Sequence, residues 1–378
     1  MGPLAGFKVI EIKGIGPGPY AGQLLADMGA EVIVVERSSK PSGISIPAAM
    51  DISSRGKRNI ALNLKSVEGL EALMKLVEGA DALFEGFRPG VTERLGFGPD
   101  VCLARNPKLV YGRMTGWGQT GPLSHAAGHD INYISLTGSL AAIGKADAPV
   151  PPLNLIGDYA GGSLFLVMGM LAAMLDTQKS GKGQVVDTAI TDGSASLMSM
   201  FYTLNSIGAW GTKRESNMLD GGTPFYGAYE TADAKFVSVG PLEPQFFAEL
   251  VVKAGFPSQY IQDQHNTEKW PEMKATFIET FKTKTREQWA DIFEGSDACV
   301  APVLNFKEAV DHPHNQARGT YIDINGVQQP APAPQFSRTV CDKPSAPRAE
   351  GSDTLEVLND WGFSSAEIDS LKQSGALT

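Results

Sequence analysis

Cysteine is scarce in this 378-residue chain: the three present, Cys102, Cys299 and Cys341, are far apart and form no Cys-x-x-Cys pair. Neither a disulfide framework nor a cysteine-based zinc site is supported, no metal is expected, and a reducing compartment is the default. A surplus of positive charge is lacking too, since Lys and Arg total 32 against 42 Asp and Glu, a formal net charge of −10 at pH 7. A general binder of nucleic acid or of an anionic membrane surface needs a net basic face, so neither partner is expected. Long apolar stretches are missing as well. The longest, Leu164 to Leu175, falls short of the roughly 20 residues that cross a bilayer. The opening MGPLAGFKVIEI has no basic segment followed by an apolar stretch, as a secretory signal would. The final GALT is not a peroxisomal SKL-type address. A cytoplasmic protein is the expectation.

What is present fits a globular chain. A hydrophobic content of 42% with 20% charged residues is ordinary for a protein that buries a sizeable core. At this length two domains are expected, or one large domain with an insertion. Glycine is abundant: 42 residues exceed the roughly 7% average, which points to tight turns and close backbone approaches.

The first 115 residues alternate strand and helix signals. Lys8–Ile12 is a short apolar run, followed by a Gly/Pro turn, a helix-like Tyr20–Met28 and a second run, Val32–Val35. Ser66 stands where it can cap a helix whose Leu70, Leu73, Met74 and Val77 fall on one face. Asn59–Leu64, Ala82–Phe87 and Leu109–Thr115 read as further strands. Strands separated by helices of this length predict an α/β fold with a Rossmann-like, doubly wound parallel sheet. We expect this large domain over residues 1–190, including an apolar helix from Gly157 to about Leu175 and a strand at Gly183–Ile190. A helical connector is expected at 191–225 and a smaller α+β domain at 226–325. Within the latter, a helix opens at Pro244, and Thr285–Gln288 and Asn305–Glu308 have the spacing of capping boxes. Residues 326–378 begin Pro-rich and end in amphipathic helices suited to packing back on the large domain. No internal repeat is found.

Gly14-Ile15-Gly16-Pro17-Gly18 follows a strand and opens a helix, with Glu36 at the end of the next strand. The spacing approaches a dinucleotide fingerprint, but Pro19 replaces the third glycine, and two prolines remove N–H groups a pyrophosphate would use. A nicotinamide-dependent oxidoreductase is therefore disfavoured, and a tight strand-to-helix connection preferred.

The segments GIGPGPYAGQLLADMGAEVIVVER (14–37), EGFRPGVTERLG (85–96), MTGWGQTGP (114–122), GHDINYISLTG (128–138), NLIGDYAGG (154–162) and GKGQVVD (181–187), with LEPQFF (242–247) and SDACVAPVL (296–304), together resemble the family III CoA-transferase superfamily. Within it the chain resembles the branch of racemases acting on 2-methylacyl-CoA thioesters. The resemblance covers nearly the whole chain and implies the family III CoA-transferase fold, a 2-methylacyl-CoA substrate, no separate cofactor because CoA is part of the substrate, and an interlocked homodimer.

Inverting an acidified α-carbon requires removing a proton from one face and delivering one to the other, hence two acid/base groups. His129 and Asp158 match the branch's catalytic pair. Taken alone, His129 is as readily a hydrogen-bonded core or loop histidine, and Asp158 a helix N-cap; a carboxylate there also lies beside backbone N–H groups able to hold a thioester oxyanion. Glu243 matches the residue that orients the catalytic histidine, with a helix-start acid as its plain alternative, and Asn154, four residues before Asp158, is expected to help position the thioester. The phosphates of CoA call for arginine. Arg37, Arg88 and Arg94 match the family's CoA-contacting positions; Leu62, Asn63, Leu64 and Lys65, with Gly86 and Phe87, match backbone segments around the adenosine; Gly128, Asp130 and Tyr133 complete the expected binding set. Arg55, Lys57 and Arg58 diverge from the pattern and read equally well as a solvated basic loop. Met198, Met200 and Met218, with Leu197 and Phe201, suit either a pliable acyl site or core packing. The other readings are a family III CoA-transferase with Asp158 as nucleophile, which has no use for His129 as a base, and a non-catalytic CoA-binding protein.

Overall fold

Residues 2–36 and 46–377 are described by a computed structural model. Six strands form one sheet: β1 (Lys8–Ile12), β2 (Glu31–Glu36), β3 (Arg58–Ala61), β4 (Ala82–Glu85), β5 (Val110–Thr115) and β6 (Gln184–Ala189). They run parallel in the order β3-β2-β1-β4-β5-β6. This is the doubly wound arrangement, in which β1 and β4 lie side by side at the point where strand order reverses.

Burial on both sides explains why the central strands read as unbroken apolar runs. Along β1, Val9 faces one side with Val32, Ala82 and Phe84, against the helices Pro17–Asp27 and Phe165–Ser180. Ile10 and Ile12 face the other side with Ile33, Val35 and Leu83. That second face is covered by helix Val67–Glu78, with Ser66 accepting from the Gly69 N–H as its cap, and by the C-terminal residues Val357, Leu358, Ile368 and Leu371.

Two compact units divide the chain. One comprises residues 1–137, 153–197 and 316–378, and the other residues 138–152 and 198–315. The second unit contains an antiparallel sheet of β7 (Gly227–Glu230), β8 (Phe236–Val239) and β9 (Val300–Pro302), with Phe247, Phe277, Phe281 and Trp289 among its buried core. Thr285 and Asn305 each form the capping box that their spacing predicts. An antiparallel hairpin of β10 (Tyr321–Ile324) and β11 (Val327–Pro330) opens the return to the first unit.

Three expectations need correction. The apolar helix begins at Leu155, not Gly157, in a π-helical segment Leu155–Leu164 continuous with Phe165–Ser180. The combined 26 residues are long and apolar enough to cross a membrane by length and composition, which the Leu164–Leu175 run alone is not. Here the helix packs on β5 and β6 with Leu166, Val167, Met170 and Met174 buried, as a core helix does. Arg55 and Lys57 are not in a solvated loop. Arg55 grips Asp27 through two bonds of 3.0 and 2.6 Å and Gln329 through a third, and Lys57 donates to Glu11 at 2.6 Å and to the Pro19 carbonyl at 2.8 Å. Finally, Leu197, Met200 and Met218 are exposed rather than core, while Met198 and Phe201 line an apolar cavity of about 220 Å³ with Tyr202 and Trp210.

Candidate active site

The sheet's reversal point carries a cavity. About 330 Å³ in volume, it lies past the C-terminal ends of β1, β4 and β5 and is walled by the Gly14–Gly18 turn, the Gly86–Pro89 loop and Gly116-Trp117, with Gly128, His129, Tyr133 and Asp158. This is where doubly wound sheets bind ligands, because the loops after adjacent strands part there.

Asp158 sits in the first turn of the π-helical segment and is half-buried. The N-cap position belongs to Asn154, so the simple capping role for Asp158 is excluded; the amide of Asn154 donates to Asp158 Oδ2 at 3.4 Å. Burial raises the Asp158 carboxyl above the usual range; the Asn154 hydrogen bond opposes this, the nearby Asp130 charge adds to it, and His129 opposes it. The backbone N–H of Asp158 donates to Asp130 Oδ2 at 2.7 Å and so is not free to hold an oxyanion as expected. Gly16 closes on the same carboxylate: its φ of +69° favours glycine, and a Cβ there would lie 3.4 Å from Asp158 Oδ2. The glycine turn thus lies against the Asp158 carboxylate.

His129 is exposed at the N-cap of helix Asp130–Ser135, its backbone N–H donating to Asn132 Oδ1 at 3.1 Å. One turn on, the Tyr133 hydroxyl donates to the Gly128 carbonyl, and its ring meets Trp117 edge-on at 4.8 Å. Gly116 has to be glycine here, because a Cβ would fall 2.0 Å from the Tyr133 ring.

Arg88 is exposed on the cavity wall, with no carboxylate among the described residues in ion-pairing range. Its loop is anchored from below. Glu85, the last residue of β4, accepts the Phe87 N–H at 2.6 Å and Arg113 Nε at 3.1 Å, and Arg113 reaches on to Glu93 at 2.7 Å. Burial pushes the Glu85 carboxyl up to about 7, against the Phe87 N–H and Arg113.

Residues 4–354 match the sequence model of CoA-transferase family III. The chain belongs to this family. A solved CaiB/BaiF family protein from Brucella suis shares its fold, with a TM-score of 0.79 at 24% identity over 95% of this chain and 99% of that one. An α-methylacyl-CoA racemase from Mus musculus is 44% identical over 97% of this chain and 95% of its own length. Its counterpart from Homo sapiens is 41% identical over the same shares. A succinyl-CoA:glutarate CoA-transferase from Mus musculus is 27% identical over 100% of this chain and 91% of its own length.

In this family III CoA-transferase member, the cavity gathers His129, Asp158, Gly86, Phe87, Arg88, Gly128 and Tyr133. Asn154 touches it only through Asp158, and Asp130 is buried behind it. Leu62 and Leu64 are core side chains, and Asn63 and Lys65 lie outside the cavity wall. Arg94, exposed on helix Val91–Leu95, also lies outside it. Glu243 is exposed at the N-cap of Pro244–Ala254 in the second unit, its side chain making no capping bond. Arg37 falls outside the described residues. Glu85, Arg113, Glu93 and Trp117 were not anticipated, and Gly16 was expected only as part of a tight strand-to-helix turn. A glutamate ending an otherwise apolar strand was the available signal for Glu85, since a buried acid demands a partner.

Proposed function

We propose that this chain is an isomerase that inverts the α-carbon of 2-methylacyl-CoA thioesters, with His129 and Asp158 as its acid/base pair. One group takes the α-proton, leaving an enolate on the thioester, and the other returns a proton to the opposite face. The observation that carries this reading is the meeting of these two side chains, borne on different elements, in one cavity with Arg88, which has no ion-pair partner among the described residues. An imidazole is suited to proton transfer near neutral pH without much tuning, and burial moves Asp158 in the direction an acid catalyst needs. The higher identity to two racemases than to a CoA-transferase supports the same choice.

No separate cofactor enters, since CoA arrives with the substrate, and Arg88 meets its phosphates. Along the long helix, Leu164, Met168 and Leu175 are 48%, 59% and 59% exposed, an apolar stripe suited to cover by a second copy in a homodimer. A cytoplasmic site of action is part of the same reading.

Incubation with one epimer of a 2-methylacyl-CoA in heavy water tests the proposal. Deuterium at the α-carbon together with the opposite epimer is the expected outcome. No exchange, with CoA passing instead to an added carboxylic acid, overturns it in favour of transfer through Asp158.

A further inference from the structure

We infer that Asp130 is a positioning residue that locks Asp158 and His129 into one geometry. The inference rests on the acid/base roles proposed above. Asp130 follows His129 directly and begins the helix Asp130–Ser135, for which His129 is the N-cap. Its side chain, only 8% exposed, leaves that helix and crosses to the start of the π-helical segment 28 positions along the chain. There the carboxylate accepts the N–H of Asp158 at 2.7 Å and that of Gly157. One buried side chain therefore ties the backbone carrying His129 to the backbone carrying Asp158.

The contact is built into the sequence at Gly157. A Cβ there would lie 2.2 Å from Asp130 Oδ2 and 3.1 Å from Ile134, so the carboxylate reaches the two N–H groups only because residue 157 is glycine. Backbone bonds to a buried carboxylate are charge-assisted and directional, and a wide π-type turn has looser internal bonding than an α-helix. The Tyr159 N–H to Asn154 carbonyl bond, at 3.3 Å, is an example. An external acceptor is what fixes such a turn.

Asp130 also acts through its charge. The groups that face the Asp158 carboxyl are Asn154 on the same segment, His129 and Asp130 from the neighbouring helix, and Tyr133 one turn further, with Arg88 beyond Tyr133. Of these, Asp130 is the carboxylate, and its negative charge makes Asp158 harder to ionise. A purely structural carboxylate bound to backbone N–H groups would affect folding without affecting that ionisation.

Two variants of the full chain test this. Asp130→Asn keeps the volume and an acceptor oxygen but removes the charge. Carbon-13 NMR of labelled aspartate is expected to show Asp158 titrating at lower pH. The acid limb of kcat for inversion should move the same way, with kcat down about tenfold or more and KM changed less than about twofold. Gly157→Ala keeps the charge but drives Asp130 off the turn, and kcat should again fall by about tenfold or more. If Asp130→Asn lowers only the melting temperature, leaving the titration and the pH profile in place, the inference is wrong. Should Asp130→Asn fail to fold, normal turnover in Gly157→Ala overturns it. Full inversion in Asp158→Asn would instead defeat the parent reading, and the NMR titration would still decide whether Asp130 sets the ionisation of Asp158.

Discussion

Asp158 acquires its character from its surroundings: partial burial and the Asp130 carboxylate raise its carboxyl, while Asn154 and His129 restrain the rise. His129 has no comparable enclosure, being exposed at its N-cap. The two should therefore respond alike in rate and differently in stability. His129→Ala and Asp158→Ala are each expected to lower inversion by about 10²–10⁴-fold. Neither should weaken CoA binding, measured by calorimetry with CoA itself. Near-normal turnover in either variant removes that residue from the chemistry. Asp158→Ala should also lift the melting temperature or leave it unchanged, because a carboxyl held above its usual range is destabilising when ionised. Both side chains were legible in the sequence through their motifs, GHDINY and IGDYAGG. The Asp130 contact was not, because an acceptor reaching across 28 positions leaves no local pattern. Arg55 and Lys57 misled for the same reason: their partners Asp27 and Glu11 lie on elements distant in the chain.

Elements were more legible than contacts. β1, β2, β4 and β5 are buried on both faces, and a both-face strand writes itself as a continuous apolar run. The π-helical character of this start was missed because Gly157, Gly161 and Gly162 read only as the glycine-rich beginning of an apolar helix. Their small size instead admits close neighbours, Asp130 against Gly157 and Ser194 against Gly161. The loop after β4 shows how an element end can be tuned. Glu85 holds Phe87 on one side and Arg113 on the other, yet burial leaves its carboxyl at about 7 in the fold, well above 4.5. Between those values the native state binds the proton more tightly than the unfolded chain does, so stability falls as pH rises from about 4.5 through 7. The size of the effect is on the order of 3 kcal/mol. Glu85→Gln should flatten this portion of the denaturation profile, measured by urea unfolding at successive pH values. Parallel profiles for the two proteins would show that Glu85 is ionised throughout.

For the molecule as a whole, a net charge of −10 argues against broad capture of polyanions, and yet the proposed substrate carries several phosphate charges. The conflict dissolves once charge is counted by place. Arg55 and Lys57 are cations already neutralised by buried carboxylates, so they add nothing to a surface field. Arg88 is different: it is exposed on the cavity and lacks an ion-pair partner among the described residues. One such arginine on a loop held by Glu85 attracts an anion locally without making the protein a general polyanion binder. Removing it should cost the fold little, since exposed side chains without fixed partners contribute little stability, and should cost the ligand much. A ligand at a hundredfold excess over its Kd stabilises the native state by about 2.7 kcal/mol. CoA at that excess over the wild-type Kd should raise the melting temperature of the wild type, and Arg88→Ala should lose most of that rise while its ligand-free melting temperature stays put. Its KM for acyl-CoA should climb by about tenfold or more with kcat retained, the signature of a binding contact equal in ground and transition states. An undiminished CoA-induced shift in Arg88→Ala would place the phosphates elsewhere on the chain.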